Sequence, residues 1–348
     1  MLLYLFIILV ILFLRLILSE YTNPVLYKRS EKIYCTLIYI VLIFVSAFRA
    51  DSVGTDTLSY INDYAGLGTL SLSDVIEQYE DYEGFYVFSW LCYKAGFPLQ
   101  IWLGLVSMML ILPVAKIIDN YSKDKIYSVL CFLSMGVFVF SLAGLKQTMA
   151  MGLILFAFYL LTKKRYVLSF LFGAWAYFCH KTSLVFLIVV PLYFFRGRKH
   201  FKTEIIILCI LFLSFFRQVF IYLIGLLNDD RYMTYLEEDS VYSPTTLIFY
   251  IIILVITLMF SANKKHSHDE DLTNFLFAVS TVCMAFQSFA FVSASAFRVS
   301  LYFLPFFGIY IPNALDNKSK TYVKVIIACM IIFYFLYTNR DFVYKFCW

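Results

Sequence analysis

Charged residues are scarce in this chain, since Asp, Glu, Lys and Arg make up 15% of its 348 residues, against about 25% in a typical soluble domain. The eight cysteines never form a C-x-x-C pair, and we interpret them as apolar filler. A Walker loop, HExxH, GxSxG and a dinucleotide fingerprint are also missing. Any chemistry must therefore use a substrate that is already activated.

Hydrophobic residues, by contrast, make up 62% of the chain and fall into long apolar stretches. A bilayer core of about 30 Å needs about 20 apolar residues per helix. The stretches are rich in Phe, Leu and Ile without strict alternation, which excludes a β-barrel. The sequence predicts an all-α, polytopic integral membrane protein with one transmembrane domain over 1–348 and no internal repeat. The predicted spans are 2–19, 31–48, 98–117, 126–143, 145–161, 166–179, 182–195, 203–227, 245–261, 272–293, 298–313 and 322–338.

Lysine and arginine gather in clusters between alternate spans. Six clusters hold 18 of the 28 basic residues. All six fall on one face if both termini are outside, so the positive-inside rule predicts that topology. The clusters are Lys28, Arg29 and Lys32; Lys116, Lys123 and Lys125; Lys163, Lys164 and Arg165; Arg196, Arg198, Lys199 and Lys202; Lys264 and Lys265; and Lys318, Lys320 and Lys324.

The segments on the opposite face contain almost no Lys or Arg. Residues 50–83 hold eight acids and no basic residue, and residues 228–243 hold five acids and only Arg231. Because acids contribute little to orientation, the absence of Lys and Arg is the observation that places both segments outside. Within the first segment, the pattern predicts a helix from Leu72 to Tyr82 with Ser73 as its N-cap.

The segment 84–118 is too long for one simple span. The charge pattern nevertheless requires the chain to cross the membrane an odd number of times within it. We predict that residues 84–96 form a short interfacial or re-entrant helix before the span at 98–117, because aromatic residues suit the interface. Two short spans are the alternative. The aromatic residues concerned are Phe85, Tyr86, Phe88, Trp90 and Tyr93.

A few cations stand alone on the outer side: Arg49, Lys146, Lys181 and Arg298, with His180 beside them. An ionisable group inside the bilayer costs about 2.5–3.5 kcal/mol on insertion scales, so it needs a partner or a wet cavity. Each could be a simple snorkelling anchor. Together they favour a shared site for an anion at the outer membrane surface.

Two further polar features have less specific interpretations. Arg217 lies deeper in its span and is either a site residue or an ion-pair partner. His266 and His268 resemble a metal pair, but no third ligand lies near them in sequence, so a solvated loop is the preferred interpretation. We predict no metal site.

The residues around the lone cations resemble one family, the EpsG-like, Wzy-type polysaccharide polymerases. FRADSVGTDTLSY, which contains Arg49, resembles the opening signature of that family, and YEGFYVFSWLCYKAG resembles its next segment. GLKQTMAMGL resembles its [RK]-Q segment, with Lys146 where Arg is more usual. GAWAYFCHKTSLVF and AFRVSLYF resemble two later elements. The five motifs occur in order over residues 49–302.

The resemblance implies a GT-C-like membrane glycosyltransferase that needs no cofactor. Its substrate would be an oligosaccharide repeat unit on a polyprenyl diphosphate such as undecaprenyl diphosphate, polymerised at the outer face of the bacterial cytoplasmic membrane. The product would be a capsule, exopolysaccharide or O-antigen, and partners would include the flippase and chain-length regulator of the pathway. The alternatives are a lipid-linked oligosaccharide flippase, a membrane acyltransferase or an O-antigen-ligase-like transferase.

The resemblance also suggests roles for individual residues. A diphosphate leaving group develops negative charge, which preplaced cations at a low-dielectric boundary stabilise. The attacking hydroxyl needs a base, and three candidates stay open. The diphosphate-binding candidates are Arg49, Lys146 and Arg298; the catalytic candidates are Asp56, Glu83 and His180; the supporting candidates are Gly54, Thr55, Gln147 and Tyr302.

Overall fold

The computed structural model describes residues 1–227, 245–261, 268–291, 296–316 and 321–348. Several predictions lie outside these residues or concern side chains that are not described. They are the outer segment 228–243, Lys264, Lys265, His266, Lys318 and Lys320, and the side chains of Arg217 and His268.

Every regular element among the described residues is a helix, which confirms the all-α prediction. A single isolated β-bridge joins Arg49 and Phe346. The α-helices are α1 (Leu2–Ser19), α2 (Pro24–Ala47), α3 (Thr57–Gly66), α4 (Leu72–Gln78), α5 (Glu83–Lys94), α6 (Leu99–Tyr121), α7 (Lys125–Ser134), α8 (Val137–Ser141), α9 (Leu145–Thr162), α10 (Tyr166–Cys179), α11 (Val189–Phe195), α12 (Phe201–Leu227), α13 (Thr245–Met259), α14 (His268–Gln287), α15 (Leu304–Ala314) and α16 (Thr321–Thr338). Short 3-10 helices cover Leu67–Thr69, Lys181–Ile188, Ser288–Phe291 and Ala296–Tyr302.

Five helices of the described chain are long and apolar enough to cross a membrane: α1, α2, α6, α9 and α16. Four shorter apolar helices accompany them. The protein is therefore consistent with a multi-pass membrane protein. The count of twelve spans and the GT-C-like class stay predictions.

Four predicted spans are not continuous α-helices. One of them, 272–293, passes from α14 into the 3-10 helix Ser288–Phe291. The stretch 126–143 divides into α7 and α8 at Gly136, whose φ of +84° leaves the right-handed helical region. Residues 182–195 begin as a 3-10 helix and end as α11. The stretch 298–313 also begins as a 3-10 helix, and α15 follows with a proline in its first turn, where the missing N–H is tolerated.

The acidic segment before α5 contains two helices. Residues 57–66 form α3, which the sequence did not predict. The predicted N-cap Ser73 is wrong: α4 is capped by Ser71, whose hydroxyl accepts from the Asp74 N–H while the Asp74 carboxylate accepts from the Ser71 N–H. The helix also ends at Gln78 rather than at Tyr82. The predicted short helix at 84–96 is present as α5.

The chain forms two compact units, residues 1–184 with 328–348, and residues 185–327. In the first unit, α9 packs against α6 and α10. Gly152 permits the approach to α6, because a Cβ atom there would lie 1.7 Å from the carbonyl oxygen of Met109. In the second unit, α14 packs against α15, and the rings of Phe286 and Phe303 stack with centroids 5.4 Å apart.

Candidate active site

Lys146 lies in the first turn of α9 and is surrounded by tyrosine rings. Its Nζ is 3.8 Å from the ring centroid of Tyr82 and 5.5 Å from the centroids of Tyr60 and Tyr86. The faces of aromatic rings attract a cation, most strongly where water is excluded. Tyr60 comes from α3, Tyr86 from α5, and Tyr82 is the residue just before α5, so this lysine connects α9 to α3 and to the start of α5.

Two carboxylates accompany the Lys146 ammonium. Both Asp63 and Asp56 attract it electrostatically. The Tyr86 hydroxyl donates a hydrogen bond of 2.6 Å to Oδ2 of Asp63. Burial raises the pKa of Tyr86, and the bond to Asp63 raises it further, so this hydroxyl stays protonated and acts as a donor. The result is a fixed arrangement of one cation, two acids and three phenol rings.

His180 follows the last turn of α10, where its N–H donates to the carbonyl oxygen of Ala176. The imidazole Nδ1 and the Thr182 hydroxyl oxygen form a hydrogen bond of 2.6 Å, which orients the ring. The His180 ring centroid lies 5.8 Å from that of Tyr82. Tyr82 thus neighbours both His180 and Lys146, and the structure brings these two predicted site residues together.

Lys181 differs from the prediction of a lone cation, because its ammonium forms an ion pair with Asp81. This hydrogen bond raises the pKa of Lys181. The pair is exposed, so it contributes little to stability. Glu83 lies in the first turn of α5, close enough to Lys181 for the two charges to interact. Glu83 therefore lies near the Lys181–Asp81 ion pair.

The turn that contains Gly54 holds the chain segment just before Lys146. Gly54 has a φ of +94°, and a Cβ atom there would lie 2.4 Å from the Leu142 carbonyl oxygen. The Thr57 hydroxyl is within hydrogen-bonding distance of the carbonyl oxygens of Val53, at 2.6 Å, and Leu142, at 3.0 Å. The Gly54 turn therefore contacts Leu142, two residues before the GLKQTMAMGL segment. Thr55 in the same turn is exposed.

A substitution of Gly54 by alanine should destabilise the protein by about 1–3 kcal/mol, because the methyl group overlaps backbone and the φ is unfavourable. Gly66, the last residue of α3, is the matched control, because a Cβ atom there would meet nothing within 4 Å. Thermal unfolding of the purified variants in detergent measures the difference. Equal unfolding temperatures for Gly54→Ala and Gly66→Ala would contradict the close contact.

Arg49 lies elsewhere, under the C-terminal segment 344–348. The Ala50 N–H donates to the Lys345 carbonyl oxygen and the Cys347 N–H to that of Phe48. These bonds leave the Arg49 side chain only 3% exposed. Its Nη1 donates to the Ser46 carbonyl oxygen at 2.5 Å, whereas Nε and Nη2 have no partner among the described residues.

Burial lowers the pKa of Arg49 to about 10, which still leaves the guanidinium charged at neutral pH. The hydroxyls of Tyr4 and Ser46 are also buried without a hydrogen-bond partner among the described residues. Tyr4 is close enough to Arg49 to interact with its charge. A buried cation with unused donors is suited to an anion. Access to it requires the C-terminal segment to move.

The comparison with protein-family models decides the family. The model of the EpsG family matches residues 32–346. The chain belongs to the EpsG family. No curated protein and no solved structure matches it. The family match confirms the resemblance seen in the motifs, and it points to a polysaccharide-polymerase-like role and a glycosyltransferase-like activity in a multi-pass membrane protein.

Three other predicted site residues of this EpsG-family chain are located as follows. Gln147 is buried in the first turn of α9, next to Lys146. Arg298 and Tyr302 belong to the second compact unit, on the 3-10 helix Ala296–Tyr302, where Tyr302 is buried. The hydroxyl of Ser300 on the same helix donates to Oε1 of Gln287 at 2.7 Å.

The sequence interpretation missed four residues around Lys146, namely Tyr60, Asp63, Tyr82 and Tyr86. A signal was present for one pair, because Tyr60 and Asp63 are spaced i, i+3 and lie on one side of α3. The interfacial or re-entrant position of residues 84–96 stays a prediction, although Tyr86 and Phe85 are buried within the protein. These side chains are 3% and 1% exposed and pack inside the first unit.

Proposed function

We propose that this protein is a glycosyltransferase that joins polyprenyl-diphosphate-linked oligosaccharide repeat units at the outer face of the cytoplasmic membrane. The observation that carries the proposal is the arrangement of Lys146, Tyr82 and His180 in a chain of the EpsG family. A cation next to a candidate proton acceptor is what transfer from a diphosphate donor requires.

The reaction is a displacement at the anomeric carbon of the growing glycan. The bond from that carbon to the diphosphate oxygen breaks, and the electron pair leaves with the polyprenyl diphosphate. A hydroxyl oxygen of the incoming repeat unit forms the new glycosidic bond, and its proton passes to a base. The donor is already activated, so the absence of a nucleotide fingerprint in the sequence agrees with this chemistry.

Lys146 is the residue proposed to stabilise the departing diphosphate. Its surroundings of phenol rings are less polar than water, so its interaction with a developing negative charge is stronger there than in solution. Asp63 and Asp56 attract the Lys146 ammonium and so act against the desolvation that burial imposes on it. The Tyr86–Asp63 hydrogen bond fixes one of these acids in place before substrate arrives.

His180 is the leading candidate for the base. Its ring neighbours the same tyrosine as Lys146, and Thr182 orients it. Asp56, which attracts Lys146, is the second candidate, and Glu83 in the first turn of α5 is the third. We further propose that Arg49 contributes to diphosphate binding, whereas the role of Arg298, which belongs to the second compact unit, stays a prediction from the sequence. For Arg49 this requires that the segment 344–348 be displaced, since the side chain is buried beneath it.

Deletion of the gene tests the proposal directly. The expected result is a surface glycan that consists of single repeat units, with the polymer ladder on an electrophoresis gel restored by the intact gene. Lipid-linked units trapped on the inner face would instead indicate a flippase. Normal polymer that fails to reach its final acceptor would indicate a ligase-like transferase, and either result would overturn the proposal.

A further inference from the structure

A cavity lined by three lysines lies in the first compact unit, and Lys146 is not among its lining residues. Its volume is about 350 Å³, and α2, α6 and the start of α7 form its walls. Its lining includes Lys32 from α2, Lys116 from α6 and Lys125 from α7. These lysines belong to two different basic clusters of the sequence, which the fold brings together around one space.

The cavity retains positive charge after its internal pairing is taken into account. Lys125 forms an ion pair with Asp119, which also lines the cavity. Neither Lys32 nor Lys116 forms an ion pair with any acid of the described chain, and the Lys116 ammonium lies 5.2 Å from the ring centroid of Tyr159. Two lysines are therefore available to an anionic ligand.

Tyr39 provides an independent indication of a ligand. Its side chain lines the cavity and is 8% exposed, and its hydroxyl has no hydrogen-bond partner in the described part of the protein. A buried hydroxyl without a partner costs free energy that a bound acceptor would recover. A phosphate oxygen is a suitable acceptor, because phenol and ammonium groups both donate to it.

The apolar surroundings indicate that the ligand carries hydrocarbon. Leu112 lines the cavity and is 50% exposed. On α2, Leu37 and Ile40 also have exposed side chains close in sequence to the lining residue Tyr39. On a helix that can span the membrane, such residues face lipid. The cavity thus has a basic end at Lys32 and Lys116 and an apolar end at Leu112, and the Tyr39 hydroxyl adds a polar group to its lining.

We propose that this cavity binds the phosphate-bearing headgroup of an anionic membrane lipid, with the acyl chains along the apolar end. Its volume lies within the range of small-molecule sites. Basic pockets between membrane helices suit such headgroups. Tyr159, which Lys116 contacts, is about 20 Å along α9 from Lys146, so this site is separate from the proposed active site. If the basic clusters face the cytoplasm, the lipid belongs to the inner leaflet.

Titration of the full-length protein in a neutral detergent tests the inference. Phosphatidylglycerol should raise the unfolding temperature and remain bound in native mass spectra. Phosphatidylcholine with the same acyl chains should do neither, and inorganic phosphate alone should not reproduce the effect. Replacing Lys32 and Lys116 together by glutamine should weaken phosphatidylglycerol binding at least about tenfold.

The matched control is the pair Lys28→Gln and Arg29→Gln, which removes the same charge from exposed residues of the same basic cluster that do not line the cavity. It should bind phosphatidylglycerol like the parent protein. Equal losses in the two double variants would show a general surface-charge effect and overturn the proposal. An equal response to inorganic phosphate would identify a soluble ligand and overturn it as well.

Tyr39→Phe provides a second test that does not depend on charge. Without lipid, this variant should unfold at the same temperature as the parent or higher, because the unpartnered hydroxyl is gone. With phosphatidylglycerol, its gain in unfolding temperature should be smaller than that of the parent. An undiminished gain would show that the hydroxyl does not meet the headgroup and would contradict the proposed position of the lipid.

Discussion

Replacing Lys146 by glutamine should lower the rate of polymer formation by about 10²–10³-fold, the usual cost of removing one group that stabilises transition-state charge. The lysine Nζ is 3.8 Å from the Tyr82 ring and is attracted by Asp63 and Asp56, so it is held in place before substrate binds. Glutamine keeps much of the length and polarity but removes the charge. The measurement is turnover of a lipid-linked repeat unit by the purified variant.

Lys163 provides a matched control for this substitution. It follows the last residue of the same helix, α9, and its Nζ lies 5.4 Å from the ring centroid of Tyr159. Lys163→Gln therefore also removes a lysine that lies over a tyrosine, but at the opposite end of the helix. We expect near-parental turnover. Similar losses in both variants would mean that Lys146 has no special role in the reaction.

Lys146 could instead be a structural clamp, since it joins α9 to Tyr60 of α3 and to Tyr82 and Tyr86. The two roles predict different outcomes for unfolding. If Lys146 is a clamp, Lys146→Gln should lower the unfolding temperature along with the activity. If it is a diphosphate-binding cation, Lys146→Gln should lose turnover at nearly parental stability. Lys146→Arg, which introduces the residue more usual in the family motif, keeps the charge and should retain activity in both cases, so the unfolding temperature of Lys146→Gln decides between the two roles.

The sequence predicted the positions of most helices because apolar length is a local property that each stretch displays by itself. It failed where a single residue interrupts a stretch, as at Gly136 between α7 and α8, since an apolar run continues on both sides of the break. The small helix α3 was missed for another reason. It lies in a polar, acidic segment, where no hydrophobic run marks a helix.

The same holds for the candidate site residues: the sequence indicates those that differ from their neighbours in the chain, but not those whose role depends on tertiary packing. Lys146 and His180 were predicted as site residues because charged or titratable groups stand out in an apolar chain. Tyr82 was missed because the chain has 28 tyrosines and nothing in the sequence distinguishes this one from the others. Only the folded structure shows that Lys146 packs against it. The burial of Arg49 was also missed, because the residues that cover it are nearly 300 positions away, and no local pattern encodes that pairing.

The base should be identified by comparing three substitutions, and we expect His180→Gln to give by far the largest loss, about 10²–10⁴-fold in turnover. The expected order follows from position, since His180 and Lys146 share Tyr82 as a neighbour. Asp56→Asn should have a smaller effect, mainly through Lys146, and Glu83→Gln the smallest. Binding of the lipid-linked donor should stay nearly intact in the His180 variant, because the base acts on the acceptor hydroxyl.

His200→Gln is the control for this comparison, because His200 is an exposed histidine outside the proposed site. Thr182→Val is an intermediate case: it removes the hydroxyl that orients the His180 ring and should reduce turnover less than loss of the ring itself. Parental turnover in His180→Gln together with a loss of orders of magnitude in Asp56→Asn would transfer the role of base to Asp56. The histidine would then be a neighbour of the site rather than part of its chemistry, and the cation–carboxylate arrangement around Lys146 would carry both binding and proton transfer.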